Sequence, residues 1–332
     1  MSSNTFGKDF RLTTFGESHG DFIGGILEGL PAGMSIDLDF IRSELNRRKP
    51  HSAYSTQRTE DDEVRFISGM ENLKTLGTPL AFIIPNNNAR KSDYDNLKDI
   101  FRPSHGDYTC FRKYGINASS GGGRASARET TTRVVGGALA KLFLRPVNIT
   151  VKSEIESICD FDYITQRKEA EEALKKAKES SDSLGGVIKC TIQNVPAGLG
   201  EPVFDKLSAV LAHAMMSIPS ARSFEIGDGK ESCKRFGSQD IDHWNEDFTT
   251  KTNHCGGIQA GISNGMDIIM HVGFKPISSI GLIRGITREG KIKETENKGR
   301  HDTCAVLRCG VITEAMAALT IADFIKRSQQ EK

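Results

Sequence analysis

What this chain has little of narrows its class first. Aromatic residues make up 7% of it, with one Trp and five Tyr. No run of them could stack the bases of a single-stranded nucleic acid. Neither sign of charge is in excess: 44 Lys and Arg against 43 Asp and Glu leave a formal net charge of +1. That balance argues against the broad basic footprint of a nucleic-acid protein, so any anion site must be a local concentration of cations. The seven cysteines are odd in number and scattered, with no C-x-x-C pair, and Cys304 and Cys309 stand closest. A disulfide framework and a zinc site are both unsupported, and reduced thiols are expected.

No segment approaches the roughly 18 apolar residues of a membrane span. The stretch Met1-Ser2-Ser3-Asn4-Thr5 has neither the basic nor the apolar region of a signal peptide. A soluble, cytoplasmic protein is expected. No H-E-x-x-H or similar spacing points to a metal, and no G-x-G-x-x-G follows an apolar run as a Rossmann site requires. The segment Gly285-Ile286-Thr287-Arg288-Glu289-Gly290-Lys291-Ile292 imitates a Walker A loop. It ends in Ile292 where a magnesium-binding Ser or Thr is needed and lacks a preceding apolar strand, so it reads as incidental.

The most informative stretch present is Ser119-Ser120-Gly121-Gly122-Gly123-Arg124-Ala125-Ser126-Ala127-Arg128-Glu129-Thr130. Ser126 and Glu129 have capping-box spacing, which makes Ser126 the expected N-cap of a helix near 126–144. Val134, Val135, Ala138, Leu139, Leu142 and Phe143 give that helix an apolar face, and Pro146 stops it. A glycine loop, two guanidinium groups and a helix N-terminus form a seat for a polyanion, the alternative being a solvated basic loop.

Two halves of the chain echo each other. Pro31-Ala32-Gly33 closes an apolar run, and a helix with Leu38, Ile41 and Leu45 on one face follows; Pro196-Ala197-Gly198 stands 165 residues later, ahead of a helix carrying Phe204, Leu207 and Leu211. Gly123-Arg124 is echoed after 176 residues by Gly299-Arg300, ahead of a C-terminal helix near 313–327. The spacing suggests a duplication with pseudo-twofold symmetry, chance similarity of strand-turn-helix units being the alternative. Strands are expected at Leu80–Pro85, Ile149–Ile155, Gly186–Asn194 and Ile268–Phe274, and a polar, solvated helix at 168–182. No Pro- or Ser-rich linker divides the chain. The expectation is a single domain over 1–332, an α/β (α+β) unit of two halves, roughly 1–150 and 151–332.

Two histidines sit in unusual company. His19 lies in Phe15-Gly16-Glu17-Ser18-His19-Gly20, and His105 lies in Arg102-Pro103-Ser104-His105-Gly106-Asp107-Tyr108. Histidine in a glycine-rich turn suits acid–base work near neutral pH, against a hydrogen-bonded loop residue as the bland alternative. His51, His213, His243 and His271 lack such surroundings and read as structural. Cations cluster at Arg47-Arg48-Lys49, Arg58, Arg102, Arg124, Arg128, Arg133 and Arg300, the first three also suiting a helix C-terminus before Pro50. Asn253-His254-Cys255-Gly256-Gly257, Phe274-Lys275-Pro276-Ile277-Ser278-Ser279 and Gly299-Arg300-His301-Asp302 add ligand-like loops. The composite is a site for a small, multiply anionic molecule with imidazole acid–base groups.

With these strings in this order, the chain resembles the chorismate synthase family over residues 4 to about 326. The resemblance implies a β-α-β sandwich, a homotetramer and bound reduced FMN. It implies a lyase that converts 5-enolpyruvylshikimate 3-phosphate to chorismate and phosphate, with NADPH as a reductant that some members use to reduce their own flavin. It implies catalytic roles for His19 at the departing phosphate, His105 beside the flavin ring and Asp302 at flavin N5. Arg47, Arg48, Arg128 and Arg133 match substrate or NADP contacts. Arg124, Ala125, Ser126, Pro219, Ser220, Ala260, Lys275, Pro276, Ile277, Ser278, Ser279 and Arg300 match flavin contacts. Three departures stand out: His51-Ser52-Ala53-Tyr54 lacks an arginine common in the family, Pro219-Ser220 replaces a usual Asn-Ala, and Ala260 replaces a usual glycine.

Overall fold

Apolar residues recurring at every second position build two five-stranded antiparallel sheets. The computed structural model describes residues 3–50, 52, 54–55, 61–87, 99–116, 122–296 and 302–329. In the first sheet β1 (Thr5–Phe6), β2 (Arg11–Gly16), β3 (Phe22–Glu28), β7 (Leu80–Pro85) and β4 (Arg65–Ser68) lie side by side in that order. In the second the order is β10 (Phe161–Asp162), β9 (Thr150–Ile158), β11 (Gly186–Gln193), β15 (Ile268–Phe274) and β12 (Ala221–Ile226). Leu80, Phe82 and Ile84 of β7 and Ile268, Met270 and Val272 of β15 are fully buried, and the residues between them are not.

Between the sheets lie α3 (Thr130–Leu144) and α7 (Val306–Ser328). Helix α3 packs on β2 and β3, α7 packs on β9 and β11, and the two helices pack on each other, so the layers run sheet, helix pair, sheet. Helix α1 (Leu38–Arg48) flanks both central helices, and α5 (Leu207–Met216) flanks α7. The central pair touches where there is almost no side chain: a Cβ on Gly137 would stand 2.3 Å from Ala315 Cβ and 2.4 Å from its Cα. Glu314, buried, accepts from Ser153 N (2.9 Å), Ser153 Oγ (2.8 Å), Lys141 (2.6 Å) and Arg47 (2.5 Å), which joins α7 to β9, α3 and α1. One oxygen of Asp323 accepts from the backbone N–H groups of Lys8, Asp9 and Phe10, which ties α7 to the first sheet.

The halves share a core order, β2-β3-α1-β4-β7-α3 against β9-β11-α5-β12-β15-α7, apart from insertions such as β10 and the helix Arg167–Glu179 between β9 and β11. The Pro-Ala-Gly turns match in their bonds. Thr75 Oγ1 donates to Pro31 O (2.5 Å) and accepts from Met34 N (3.0 Å), and Gly33 N donates to Thr75 O (2.7 Å). Ser263 Oγ donates to Pro196 O (2.6 Å) and accepts from Leu199 N (2.9 Å), and Gly198 N donates to Ser263 O (2.8 Å). Thr75 ends the hairpin β5 (Met70–Glu71)–β6 (Lys74–Thr75), and Ser263 ends β13 (Ile258–Gln259)–β14 (Ile262–Ser263). The other echo, Gly299-Arg300, lies outside the described residues.

Outside the sandwich, β8 (Ile100–Phe101), β16 (Leu282–Thr287) and β17 (Ile292–Glu296) form a three-stranded sheet beside α2 (Asp107–Tyr114). The Walker-like segment is the turn of the β16–β17 hairpin, with no helix for a phosphate to face. The expected polar helix is α4 (Arg167–Glu179), whose Ala170, Leu174 and Ala177 bury a narrow stripe; α6 (Gly237–Asp240) is a single turn. No helix among the described residues is long and apolar enough to cross a membrane.

Four expectations are corrected. Phe204 is 91% exposed, because α5 begins only at Leu207. Leu38 is the exposed first residue of α1, whose inner face is Ile41, Glu44, Leu45 and Arg48. Helix α7 begins at Val306, two turns before the expected start. Ser126 does cap, accepting from Arg128 N, but the turn it caps is a 3-10 turn at 127–129, and the Glu129 carboxylate pairs with Arg133 (2.8 Å) instead of closing the capping box.

Gly137→Ala forces the helix pair apart at backbone atoms, which rotamer changes cannot relieve. Overpacking of about 1–3 kcal/mol or more outweighs the roughly 1 kcal/mol gain in helix propensity. Net destabilisation is expected, read as a lower urea midpoint at unchanged m; a midpoint at or above wild type contradicts it.

Candidate active site

Three helix ends converge on one cavity of about 390 Å³, the size of a small-molecule site. The capped 127–129 turn brings Ala127, Arg128 and Thr130 to the wall at the start of α3. The start of α7 contributes Ala305, Arg308 and Cys309, and the end of α1 contributes Arg48 and Lys49. Both central helices thus direct their positive N-terminal ends at the same space.

The guanidinium groups are held by neutral oxygens as much as by carboxylates. Arg48 donates to Thr130 Oγ1 (3.1 Å) and Ala127 O (2.9 Å), with Asp62 3.7 Å away. Arg128 donates to Asn86 Oδ1 (2.9 Å) and Pro85 O (3.2 Å) and pairs closely with Asp62. Arg308 donates to Asp302 (2.9 Å) and to Arg48 O (2.9 Å), capping the C-terminus of α1. Burial pushes the Arg48 guanidinium down to about 9, the charges of Arg308 and Arg128 add to this, and Asp62 and Asp302 oppose it. It remains a cation at neutral pH. Burial, with Arg222 nearby, also lowers Lys275. Arg48, Lys49, Arg102, Arg128, Lys275 and Arg308 line the cavity together with Asp62 and Asp302, a surplus of positive charge.

His105 lines the same cavity. Its Nδ1 lies 2.7 Å from Asp107 Oδ1, and its ring lies against Gly122, where a Cβ would come within 3.2 Å of Cε1. Apolar side chains, Ile218, Pro219, Ile277 and Ile312, complete the lining. Lys275 N donates to Ser220 O (2.9 Å), which fastens the 218–220 turn to the 275–279 segment.

Of the residues singled out from sequence, the cavity gathers Arg48, His105, Ala125, Ser126, Arg128, Pro219, Ser220, Lys275, Ile277, Ser278, Ser279 and Asp302. Six others lie off its wall. Arg47 turns away to Glu44 and Glu314. Arg124 donates to Thr14 Oγ1 (2.6 Å) and Gly16 O (3.2 Å) at the first sheet. Arg133 holds Glu129 and donates to Ser217 Oγ (2.7 Å), just before the 218–220 turn. Pro276 stands between two lining residues, and Ala260 sits in the β13–β14 turn. His19 bonds Ser18 Oγ (2.9 Å); its turn is tied to the wall by Asn86, which donates to Glu17 O and Gly20 O and accepts from Arg128. Arg300, His301, His51 and Ala53 lie outside the described residues.

Asp62, Arg308 and Cys309 also line the cavity without having been marked from sequence as site residues, and Arg102 joins them from the cation cluster. Arg102 shares a string with His105, a usable signal. Arg308 had none while α7 was expected to start near 313. Away from the cavity, Asp228, Asp240 and His254 have metal-ligand spacing, but the Arg235 guanidinium contacts all three and supplies the cation.

A family model described as chorismate synthase matches residues 10–325. The chain belongs to the chorismate synthase family. It is 47% identical to the chorismate synthase of Christiangramia forsetii, with 100% of each chain covered. It is 49% identical to that of Sulfurovum sp., covering 96% of this chain and 95% of the relative. A crystal structure of chorismate synthase is similar at a TM-score of 0.76 and 30% identity, over 97% of this chain and 93% of that one. The family fold is therefore the sandwich described above.

Arg48 is buried at a cost in desolvation beside the like charges of Arg308 and Arg128, and without it Asp62 still has Arg128 as its partner. Arg48→Met is expected to leave the unfolding free energy within about 1 kcal/mol of wild type or raise it. The stabilisation that inorganic phosphate confers on wild type should fall, with affinity at least about tenfold weaker, or 1.4 kcal/mol. Thermal melts with and without phosphate measure both; unchanged phosphate stabilisation would place the anion elsewhere.

Proposed function

We propose that this chain is a chorismate synthase, a lyase that removes phosphate and the C6 hydrogen from 5-enolpyruvylshikimate 3-phosphate by anti-1,4-elimination. This is the last common step of the shikimate pathway to aromatic amino acids. The observation that carries the reading is the convergence of Arg48, Arg128 and Arg308 with two helix N-termini on a cavity that also holds His105 and Asp302. A substrate with two carboxylates and a phosphate matches that surplus of buried positive charge.

The cavity also fits a flavin. Its apolar wall at Ile218, Pro219 and Ile277 suits a flat ring, and Ala125, Ser126, Lys275, Ser278 and Ser279 would hold FMN. Reduced FMN, when bound, supplies an electron transiently to a substrate whose C6 proton is too weakly acidic for a base alone, with no net redox change. Arg48 and Arg128 bind and orient the phosphate and keep its charge offset as it leaves. With flavin bound, His105 would hold a proton beside the ring and Asp302 would hold or move one at N5, both from the cavity lining. His19 serves the departing phosphate from the turn that Asn86 ties to Arg128. The same reading takes 1–332 as one domain of two halves, a cytoplasmic homotetramer, and NADPH as the reductant if the chain reduces its own flavin.

Anaerobic protein with substrate and reduced FMN is expected to release chorismate and phosphate in equal amounts, and protein without flavin is expected to be inert. Folded protein that binds both ligands and never releases phosphate sinks the reading. His19→Ala and His105→Ala are each expected to lower kcat by about 10²- to 10⁴-fold with unchanged circular dichroism; full rates in both remove the acid–base roles. Light scattering that returns a monomer removes the tetramer.

A further inference from the structure

We propose that Asp107 is a positioning residue that fixes the proton of His105 on Nδ1, so that the neutral ring presents an unprotonated Nε2 within the cavity. The inference rests on the reading of His105 as a working group of the proposed reaction, but the geometry stands without it. The Asp107 carboxylate, at the first residue of α2, accepts from Arg102 Nε (2.7 Å), Arg102 Nη2 (2.8 Å), the Arg102 backbone N–H (3.2 Å) and His105 Nδ1 (2.7 Å). Burial works against its charge, yet the bonds from Arg102 and His105 hold it well below the usual carboxylate range. An ionised carboxylate only accepts, so a 2.7 Å contact to Nδ1 requires the proton on the nitrogen.

Arg102 Nη2 also lies 3.1 Å from Nδ1, and it too is only a donor. Were Nδ1 to accept from it, the Nδ1 lone pair would face Asp107 Oδ1 at 2.7 Å with no proton between them. Nη2 donates one of its two N–H groups to Oδ1 at 2.8 Å, and its 3.1 Å separation from Nδ1 is the spacing of two donors that share this oxygen. The ring has little freedom to reverse this. Arg102 is buried and fixes Asp107 from two nitrogens, while Gly122, at φ +85°, lets the ring lie where a Cβ would be 3.2 Å from Cε1 and 3.6 Å from Nε2. His105 therefore meets a bound molecule as an acceptor at Nε2. It becomes a donor there only as the imidazolium, whose charge Asp107 offsets.

Two measurements test this on the full chain. Nitrogen NMR of the imidazoles in ligand-free protein, with His105 assigned by its loss in His105→Ala, is expected to show a protonated Nδ1 and an unprotonated Nε2 at a pH where the ring is neutral. A wild-type ring with its proton on Nε2 overturns the proposal, whatever the enzyme's activity. Asp107→Asn is expected to move the proton population toward Nε2 and to lower kcat by about 10- to 100-fold with little change in KM. In the His105→Ala background the same substitution should cost almost nothing further, since both changes remove one unit. Equal losses in both backgrounds would show Asp107 acting through Arg102 or α2 alone and would also overturn the proposal. An Nδ1–H tautomer in inactive protein would instead fail the reaction and leave the positioning intact.

Discussion

The near contact of α3 and α7 at Gly137 and Ala315 is the constraint on which the rest of the molecule depends. Two sheets can share one layer of helices only if that layer is thin and closely packed, and a missing Cβ allows the approach. The buried network around Glu314 then locks α1, α3, α7 and β9 together. Because α1 is held there by Arg47, the next side chain along, Arg48, is delivered to the cavity. One arginine is spent on the scaffold and its neighbour on the site.

Local backbone chemistry and long-range packing cooperate at that cavity. Ser126 caps a 3-10 turn rather than the α-helix itself, which places Ala127 O and Thr130 Oγ1 where Arg48 donates. Arg308 closes the C-terminus of α1 while pairing with Asp302. Each guanidinium is oriented by acceptors that leave it charged, and together they outnumber the carboxylates. Such a pocket is preorganised for an anion, since burying like charges side by side trades stability for binding.

The repeat gives this arrangement its economy. Each half contributes a sheet, a flanking helix after a Pro-Ala-Gly turn, and one central helix whose N-terminus opens on the cavity. The two turns share hydrogen bonds atom for atom through Thr75 and Ser263, although the segments around them have diverged. The halves differ where each central helix begins: Arg128 stands in the turn before α3, whereas Asp302 precedes α7 and Arg308 lies in its first turn.

Much of this was legible in the order of residues. β-branched runs bounded by turn residues located four of the strands, the Pro-Ala-Gly echo pointed to two matching halves, and Ser126 was recognisable as a cap. Those features are settled by neighbours within a few residues and need no knowledge of the fold. The glycine–arginine string and the His105 string marked their segments as candidates for ligand binding, because few structural uses need glycine, histidine and arginine so close together. What the sequence could not assign was the destination of each cation. Arg47 and Arg48 are adjacent and chemically alike, yet helix geometry sends one to Glu314 and the other to the cavity. Arg124 stands beside the site and is drawn to the first sheet, and Asp62 and Arg308 reach the wall from segments with no local signal. Charge, cap and period are properties of the chain itself. Which buried partner a charge meets is decided only when two sheets close over one pair of helices.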